Sequence, residues 1–437
     1  MTTTTHSELE LEAIRICQEL IRIPSVNFGD GKGDEKDVAA YVVKLLSEVG
    51  IESKTYESAP GRCNVIARIK GSNPNRPGLV VHGHLDVVPA NAADWSVDPF
   101  CGEIKDGFIW GRGAVDMKNM DAMIIATVRD WARTGYIPER DIVLAFFADE
   151  EAGSSFGSHY MVKKHPEVFA GCTEAVSEVG GFSVTVAGGK RLYLIETAEK
   201  GIHWMRLTAH GRAGHGSVMN DENALTRLSE AVSKIGNYTW PQRYSKTVKA
   251  FFKRVSEETG KPYDEKDLQP LLQEVGFSAR MIGATLQNTA NPTMLDAGYK
   301  ANVIPGAASA VIDGRFIPGF EDELNETIKS LIGPDITVET ITRDKALEVP
   351  FEGDLVEAMC KALIKEDAVA IPVPYVMSGG TDNKALADLG IIGYGFSPLK
   401  LDADFDFMAM FHGVDERVPV EGLTFGARVL KEFLENA

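Results

Sequence analysis

Two apolar runs that each end in ionisable residues place the strongest constraint on the fold. The run at 79–81 (Leu-Val-Val) precedes residues 84–86 (His-Leu-Asp), and the run at 142–148 precedes residues 149–151 (Asp-Glu-Glu). Short apolar runs of this kind are typical of buried strands, and a helical pattern at about 119–133 lies between them. The alternation predicts an α/β fold. In such a fold the carboxyl ends of the strands share one edge of the sheet, where ligands bind.

The middle third of the chain differs in pattern from the two ends. It carries its own strands and helices and is typical of a separate α+β unit, with a polar, charged and helical insertion at 238–274. We therefore predict a discontinuous domain, residues 1–198 and 346–437, with an inserted lid domain at 199–345. The elements predicted for the lid are strands at 201–211, 301–316 and 336–341 and helices at 222–236 and 322–333.

Charge and composition argue against several classes of function. The 437 residues carry 45 lysines and arginines against 63 aspartates and glutamates, a formal charge of −18, whereas nucleic-acid binders normally have a basic face. The five cysteines are scattered with no Cys-x-x-Cys pair, which predicts reduced thiols. Residues 1–10 have no apolar signal core, and no stretch is long enough to cross a bilayer. We expect a cytoplasmic protein without nucleic-acid or membrane partners.

His84 and Asp86 are two residues apart at a predicted strand end, so their side chains leave the strand on the same face. Imidazole is a common metal ligand, and a carboxylate on its second nitrogen fixes the tautomer and the orientation of the ring. Two polar residues at a sheet edge give the same pattern. The pair alone does not separate these interpretations.

Asp116 and residues 149–151 add carboxylates that suit cations. Asp116 follows a glycine-containing turn and has two oxygens that can bridge two metal ions, although an acidic residue at this position also caps a helix. Three adjacent carboxylates at a partly buried edge need cations or raised pKa values. If Glu151 is a ligand, Glu150 is free to accept a proton from water. An acidic strand-to-helix turn is the alternative.

Three further residues carry weaker signals. Glu178 follows a short apolar run at 175–176, and His412 is the only histidine in the last third of the chain. Each means little alone. His215 lies in a glycine-rich loop of the predicted lid, from where it can donate to an oxyanion after closure. An exposed loop histidine explains the same pattern equally well.

Together these segments resemble the zinc peptidase family that includes carboxypeptidase G, aminoacylase, acetylornithine deacetylase, succinyl-diaminopimelate desuccinylase and carnosinase-type dipeptidases. The resemblance spans nearly the whole chain and implies a discontinuous di-zinc catalytic domain, with a mixed central sheet flanked by helices, and an inserted α+β lid or dimerisation domain. The motifs that carry it are His84-Leu85-Asp86-Val87-Val88-Pro89, Gly111-Arg112-Gly113, Asp116-Met117-Lys118, Asp149-Glu150-Glu151, Glu178-Val179-Gly180, Gly211 to His215, Asn302-Val303-Ile304-Pro305, Asp313-Gly314-Arg315, Gly379-Gly380-Thr381-Asp382 and His412-Gly413.

The resemblance implies a two-zinc centre bridged by Asp116, with Asp86 clamping His84 and Glu150 acting as the general base. Two divalent cations explain why so many carboxylates meet. Zinc is the expected metal because the donors are imidazole and carboxylate without thiolate, and Co²⁺ or Mn²⁺ suit the same donors. The remaining ligands it implies are Glu151 and His412 for one ion and His84 and Glu178 for the other.

The resemblance also assigns residues to the substrate. His215 and Asn302 would hold the oxyanion, and Lys200 would add positive charge at the same end of the site. A guanidinium can grip a carboxylate through two parallel bonds. The residues implied for the substrate carboxylate are Arg315, Gly380 and Thr381.

We therefore expect hydrolysis of an amide bond beside a free carboxylate, in a small molecule such as a dipeptide or an N-acyl amino acid. A homodimer is expected on the resemblance alone. The first alternative is a deacylase similar to acetylornithine deacetylase or succinyl-diaminopimelate desuccinylase. A catalytically silent metal-binding receptor is the second. A nucleotide-binding protein that uses residues 179–181 or 379–381 is the third, although neither loop has the spaced glycines of a phosphate-binding fingerprint.

Overall fold

The computed structural model describes residues 6–29 and 31–437. The fold begins at α1 (Glu8–Ile21), where the Ser7 hydroxyl accepts the backbone N–H of Glu10 and the Glu10 carboxylate accepts the N–H of Ser7. This reciprocal cap satisfies two donors that a helix start otherwise leaves free. Residues 1–5, part of the segment from which we predicted no signal sequence, lie outside the described residues. No helix in the described part of the chain is both long and apolar enough to cross a membrane.

Residues 8–199 alternate between helices and strands, as the apolar runs predict. The next helices are α2 (Lys36–Ser47), α3 (Lys118–Thr134) and α4 (Ser158–Lys164). The strands are β1 (Ser53–Ala59), β2 (Arg62–Ile69), β3 (Gly78–His84), β4 (Ile104–Lys105), β5 (Phe108–Trp110), β6 (Ile142–Phe147), β7 (Cys172–Ser177), β8 (Phe182–Thr185) and β9 (Arg191–Glu199). The helix predicted at 119–133 is α3, which is buried along most of its length. It ends at Gly135 with a φ of 72°, a conformation that glycine adopts without strain.

The middle of the chain has its own strands and helices. Its strands are β10 (Gly201–His210), β11 (Gly214–His215), β12 (Thr289–Ala297), β13 (Val303–Ile304), β14 (Ala307–Phe316) and β15 (Ile336–Asp344). Its helices are α5 (Ala224–Gly236), α6 (Lys246–Thr259), α7 (Gln269–Leu272), α8 (Ala279–Gly283) and α9 (Glu321–Ile332). The strand prediction at 301–316 is confirmed by β14 over most of its length, and its first part forms the separate strand β13. Pro305 separates β13 from β14 because proline has no N–H to donate to a strand ladder.

The last part of the chain returns to the first architecture. Its helices are α10 (Asp354–Glu366), α11 (Asn383–Leu386) and α12 (Val420–Asn436), and its strands are β16 (Leu347–Glu348), β17 (Ala370–Met377), β18 (Ile392–Gly395) and β19 (Arg417–Pro419). Within the described residues, ten strands form a large mixed sheet in the order β1-β2-β6-β3-β7-β18-β9-β16, with β8 and β17 also paired to β9. Strands β6, β3, β7 and β18 are parallel, so their carboxyl ends share one edge.

Helices cover both faces of the large sheet, and a second sheet forms the lid. Helices α1, α3, α10 and α12 pack in the main apolar core on one face, and α4 and α11 cover the other. The lid is a four-stranded antiparallel sheet in the order β12-β14-β10-β15, with α5 and α9 on one face. The α/β class with a mixed central sheet, flanking helices and an inserted α+β unit is confirmed.

The helical insertion packs on the large sheet, although its sequence lies within the lid. Helix α6 contacts β17 and buries Val248, Phe251, Phe252 and Val255 in the main apolar core. The chain crosses between the two sheets after β9 and again after β15, close to the predicted boundaries. The division into residues 1–198, 199–345 and 346–437 stays a prediction.

Candidate metal centre

Ionisable side chains from five separate segments meet at the carboxyl-terminal edge of the parallel strands. His84 is the last residue of β3, and Glu178 follows β7. The turn with Glu150 and Glu151 follows β6, while Asp116 precedes α3. His412 comes from the segment before β19. The six residues predicted for the metal ions and the base are therefore close together, as the strand-end pattern predicts.

Asp116 faces two separate groups of donors. Its Oδ1 lies 3.2 Å from His84 Nε2, and its Oδ2 lies 3.1 Å from His412 Nε2. On the first side, Glu178 Oε2 is 3.6 Å from His84 Nε2. On the second side, Glu151 Oε2 is 3.0 Å from His412 Nε2. Within each group of three residues the donor atoms lie within 4.8 Å of one another, which is compact enough to surround a cation.

The chemistry of the cluster fits two divalent cations. His84, Asp116 and Glu178 are buried, and a buried carboxylate without a partner is costly. Glu151 Oε1 has no hydrogen-bond partner among the described residues. The donors are imidazole nitrogens and carboxylate oxygens, the set that zinc and related metals accept. Each group has one histidine and shares the Asp116 carboxylate, so the arrangement suits a pair of ions.

Crowding shifts the pKa values in the cluster. Burial and the Glu178 carboxylate raise the pKa of Glu150 well above its ordinary value. Burial raises the pKa of Glu178 to about 8, although His84 opposes this shift. Burial alone would raise the pKa of Asp116, but hydrogen bonds from His412 and His84 lower it. These carboxyl groups compete for positive charge.

Asp86 connects His84 to the turn that carries Glu150 and Glu151. His84 Nδ1 lies 2.9 Å from the main-chain oxygen of Asp86 and 3.5 Å from its Oδ1. The Asp86 carboxylate accepts the backbone N–H groups of Glu150 and Glu151, each at 3.1 Å. Asp86 therefore orients the imidazole mainly through its main chain, and its carboxylate holds the turn. The predicted clamp on His84 has this second contact, which the sequence did not indicate.

Glu416, which sequence reasoning missed, holds the loop that carries Asp116. Its buried carboxylate accepts three backbone N–H groups of the segment 113–116 at 2.8–3.3 Å. Arg112 Nη1 lies 2.6 Å from Glu416 Oε2, and its Nη2 donates to the His412 carbonyl at 3.3 Å. Arg112 and Glu416 therefore connect the loop of Asp116 to the segment of His412. The only available signal was an acidic residue near His412, which is too common to stand out.

Three of the predicted substrate residues line a cleft of about 960 Å³ beside the cluster: Arg315, Gly380 and Thr381. Asp313 accepts the Nε and Nη2 protons of Arg315 at 2.7 and 3.1 Å. The Thr381 hydroxyl donates to the buried Glu199 carboxylate at 2.6 Å. Arg315 therefore keeps donors for a ligand, whereas the side chain of Thr381 is already engaged.

Three other predicted residues lie outside the cleft lining. Lys200 is buried, and its Nζ donates to the carbonyls of Ala284 and Gln287 at 3.0 and 2.8 Å. It ties the segment between α8 and β12 to the end of β9, so the predicted contact with substrate is not seen. His215 and Asn302 are exposed at the two-stranded antiparallel ribbon of β11 and β13 on the lid. The structure does not bring them to the metal cluster of their own chain.

The sequence analysis also missed an apolar wall of the cleft. Its residues come from the lid, helix α8, the large sheet and the segment before β19, which are distant in sequence. No spacing signal could connect its members, because tertiary packing alone brings them together. Its largest residues are Trp204, Met281, Met377, Met408 and Phe411.

Comparison with known proteins agrees with this geometry. The family model described as Peptidase family M20/M25/M40 matches residues 80–436. The N-fatty-acyl-amino acid synthase/hydrolase PM20D1 of Mus musculus is 27% identical over 99% of this chain and 89% of its own length. Aminoacylase-1 of Sus scrofa is 25% identical over 94% of this chain and 91% of its own. The metallo-carboxypeptidase Sso-CP2 from Sulfolobus solfataricus superposes with a TM-score of 0.73 at 18% identity, covering 97% of this chain and 99% of that one.

We expect Glu416→Gln to weaken metal binding. The substitution removes the charge opposite buried Arg112 and turns one acceptor into a donor that faces backbone N–H groups. Loss of a group that supports a metal ligand typically costs about 10–100-fold in metal affinity. Competition with a chelating dye measures this affinity for Zn²⁺. Glu421→Gln, at an exposed position in the first turn of α12, should bind like the wild type. Equal affinity in both variants would contradict the role of Glu416.

Proposed function

The chain belongs to peptidase family M20/M25/M40, and on that premise we propose that it hydrolyses N-acyl amino acids at a two-zinc centre with Glu150 as general base. The family and its aminoacylase relatives make the chain a metallo-amidohydrolase. The observation that carries the proposal is the pair of three-residue groups that share Asp116, with Glu150 beside them in the cleft and outside both groups. Co²⁺ or Mn²⁺ suit the same donors.

When bound, two divalent cations supply a nucleophile at neutral pH and a Lewis acid for the carbonyl oxygen. The residues of the chain then move the protons. The Glu150 carboxylate accepts a proton from the attacking water and returns it to the nitrogen of the leaving amino acid as the amide C–N bond breaks. Asp86 accepts the backbone N–H of Glu150 at 3.1 Å, which fixes the turn from which the base projects.

The charges of the cleft favour a substrate with a free carboxylate and a neutral acyl group. Arg280, Arg315 and Arg343 line the cleft, and Arg315 has donors beyond those that contact Asp313. Apart from the carboxylates of the metal cluster, Asp344 is the one carboxylate among the described residues that line the cleft. Its Oδ2 lies 3.6 Å from His159 Nε2. The free ammonium group of a dipeptide would need an acidic partner. The same argument disfavours substrates such as acetylornithine and succinyl-diaminopimelate, which carry an ammonium group.

The apolar wall favours an apolar acyl group over acetyl. Met281, Met377 and Met408 have flexible, polarisable side chains that adapt to ligands of different shape. Trp204 and Phe411 add large aromatic faces. A cleft of about 960 Å³ is far larger than an acetyl group requires. The relative named N-fatty-acyl-amino acid synthase/hydrolase supports this choice.

We expect activity to need both the metal and Glu150. Dialysis against a chelator should abolish hydrolysis of N-acetyl-L-leucine, and Zn²⁺ should restore it. Glu150→Gln should keep the metal content of the wild type and lower kcat about 10²–10⁴-fold, since it removes the proton acceptor. Metal content is measured by mass spectrometry, with Glu421→Gln as the control. Full activity after chelation would exclude the metal centre, and a Glu150→Gln variant with most of its turnover would exclude this base.

We expect N-dodecanoyl-L-leucine to have a lower KM than N-acetyl-L-leucine. Each buried CH₂ contributes about 0.8 kcal/mol, so burial of only two more lowers KM about tenfold. Met281→Gln, which keeps length but adds polarity, should reduce this difference and leave the kinetics of the acetyl substrate unchanged. Initial rates over a range of concentrations give both constants. Faster hydrolysis of the dipeptide Gly-Leu than of either derivative would instead identify a dipeptidase.

We also propose that the protein acts as a homodimer in which the lid of one copy completes the site of the other. His215 and Asn302 are exposed and outside the cleft of their own chain. The lid has an edge strand, β12, whose residues 291–296 are exposed, including Met294 and Leu295. Such an edge presents unpaired backbone groups and apolar side chains to a second copy. Pairing of two lids would leave each β11–β13 ribbon free to reach a neighbouring cleft.

Mixed dimers test this arrangement. Glu150→Gln and His215→Ala should each be inactive as homodimers. After subunit exchange in equal amounts, half of the dimers are mixed and each has one intact site, so activity should return to about one quarter of the wild type. Light scattering measures the mass. Monomers, or a mixture with no recovered activity, would contradict a site shared between copies.

A further inference from the structure

A buried group of charged and amide side chains lies behind the turn of Glu150 and Glu151. Neither the proposed ligand groups nor the cleft lining accounts for Asn27, Glu35 and Arg62. We call the set the Arg62 cluster. Its members are Asn27, Glu35, Arg62, Asp86 and Asp149, all of them buried.

Arg62 is the cation of this cluster. Its side chain has no exposed surface, and its Nη2 lies 2.6 Å from Glu35 Oε1 and donates to Asp149 Oδ1 at 2.9 Å. The ring of Phe156 lies 5.5 Å from the guanidinium carbon. A Cβ at Gly33 would collide with the guanidinium, so glycine leaves room for it. A charge held in this way fixes its carboxylate partners, because the side chain has no exposed surface at which solvent could replace them.

Asn27 extends the contact from Asp149 to Asp86. Its Nδ2 has two hydrogens, and it donates to Asp86 Oδ2 at 2.8 Å and to Asp149 Oδ1 at 3.0 Å. The backbone N–H of Asn27 donates to the Val87 carbonyl at 2.9 Å, which anchors the residue beside β3. Asn27 therefore joins two carboxylates that would repel each other without it.

The Arg62 cluster contacts the backbone of the turn that carries Glu150. The Asp86 carboxylate accepts the N–H groups of Glu150 and Glu151. The Asp149 carboxylate accepts the N–H of Phe156 at 2.9 Å. Asp149 itself has a φ of 67°, a conformation that a residue other than glycine holds only when its surroundings impose it. Both ends of the loop at 149–156 thus depend on carboxylates that Arg62 and Asn27 hold.

We propose that Arg62 is a positioning residue for Glu150 and acts through Asp149, Asn27 and Asp86. The cluster contains three carboxyl groups and one guanidinium. Without the Arg62 guanidinium, only the Asn27 amide lies between the carboxylates of Asp149 and Asp86. The turn of Glu150 then moves, because the two negative charges repel each other. A displacement of a catalytic group by about 1 Å is enough to lower turnover strongly. The inference rests on the proposed role of Glu150 as the base.

Arg62→Met and Arg62→Lys, assayed with the better of the two leucine derivatives, test this role. Arg62→Met removes the charge and keeps most of the volume. Assayed with saturating Zn²⁺, because the same turn carries the proposed ligand Glu151, it should lower kcat about 10–100-fold and leave KM unchanged, and Arg62→Lys should recover part of the loss. Arg129→Met is the matched control, because Arg129 is also buried and pairs with Glu12 and Glu48 far from the site. It should lower the melting temperature and leave kcat and KM unchanged.

Each result decides the proposal. A folded, zinc-loaded Arg62→Met protein with the kcat of the wild type overturns it, and so does a loss of kcat that Arg129→Met shares. If Arg62→Met does not fold, Asn27→Ala replaces it, since this change breaks the link to Asp86 and keeps both ion pairs of Arg62. Wild-type turnover in Asn27→Ala then overturns the proposal. Glu150→Gln, assayed in parallel, separates the two hypotheses. If this variant retains turnover, the assignment of Glu150 as the base is wrong. If it is inactive while Arg62→Met is active, only the positioning role of Arg62 is rejected.

Discussion

The concentration of carboxyl groups at one buried sheet edge is the constraint on which the rest of the structure depends. Asp116 lies between two histidines and shares its two oxygens between two groups of donors. Such an arrangement is stable only if cations enter it and if every supporting backbone segment is held from behind. Glu416 holds the loop of Asp116 through three N–H groups. Asp86 does the same for the turn after β6. The supporting groups are themselves carboxylates, so they need cations or amides of their own. Arg112 pairs with Glu416, and the Asn27 amide donates to Asp86 and to Asp149, the carboxylate that Arg62 pairs with.

The same logic explains why several lysines and arginines of this acidic chain are buried. Lys200 has no contact with the cleft, and its ammonium group contacts main-chain oxygens at the start of the lid strand β12. Burial lowers the pKa of Lys200 to about 7, so the position is costly for a charged group and is compensated by these hydrogen bonds. Lys384 donates to the carbonyls of Lys200 and Lys345 at 2.8 and 2.7 Å. These two carbonyls lie where the chain crosses between the large sheet and the lid.

Sequence reasoning succeeded where a residue follows a local pattern. His84, Asp86 and residues 149–151 each come directly after an apolar run, and parallel strands bring such positions to one edge. Glu178 follows a short apolar run and His412 is the only histidine in the last third of the chain, but these signals are weak alone, so both assignments depended on the resemblance. The Arg62 cluster could not be predicted, because its members come from four separate segments and a buried arginine looks like any other in sequence. The apolar wall could not be predicted for the same reason. The substrate contact predicted for Lys200 is not seen, because Gly201 indicates that a strand begins there but not the direction of the lysine side chain.

The contacts at the two crossings bear on how an oxyanion could be stabilised. The β11–β13 ribbon that carries His215 can reach a reacting carbonyl either by closure of its own lid or from a second copy. Closure would rotate the lid about the crossings that Lys384 holds, and it would pull on β12, which begins two residues after the carbonyl of Gln287. The insertion resists the same movement, since α6 is buried in the core of the large sheet. Three independent attachments therefore oppose closure, whereas the exposed edge of β12 needs no internal movement to pair with another chain. This difference supports delivery of His215 across a dimer over closure of its own lid.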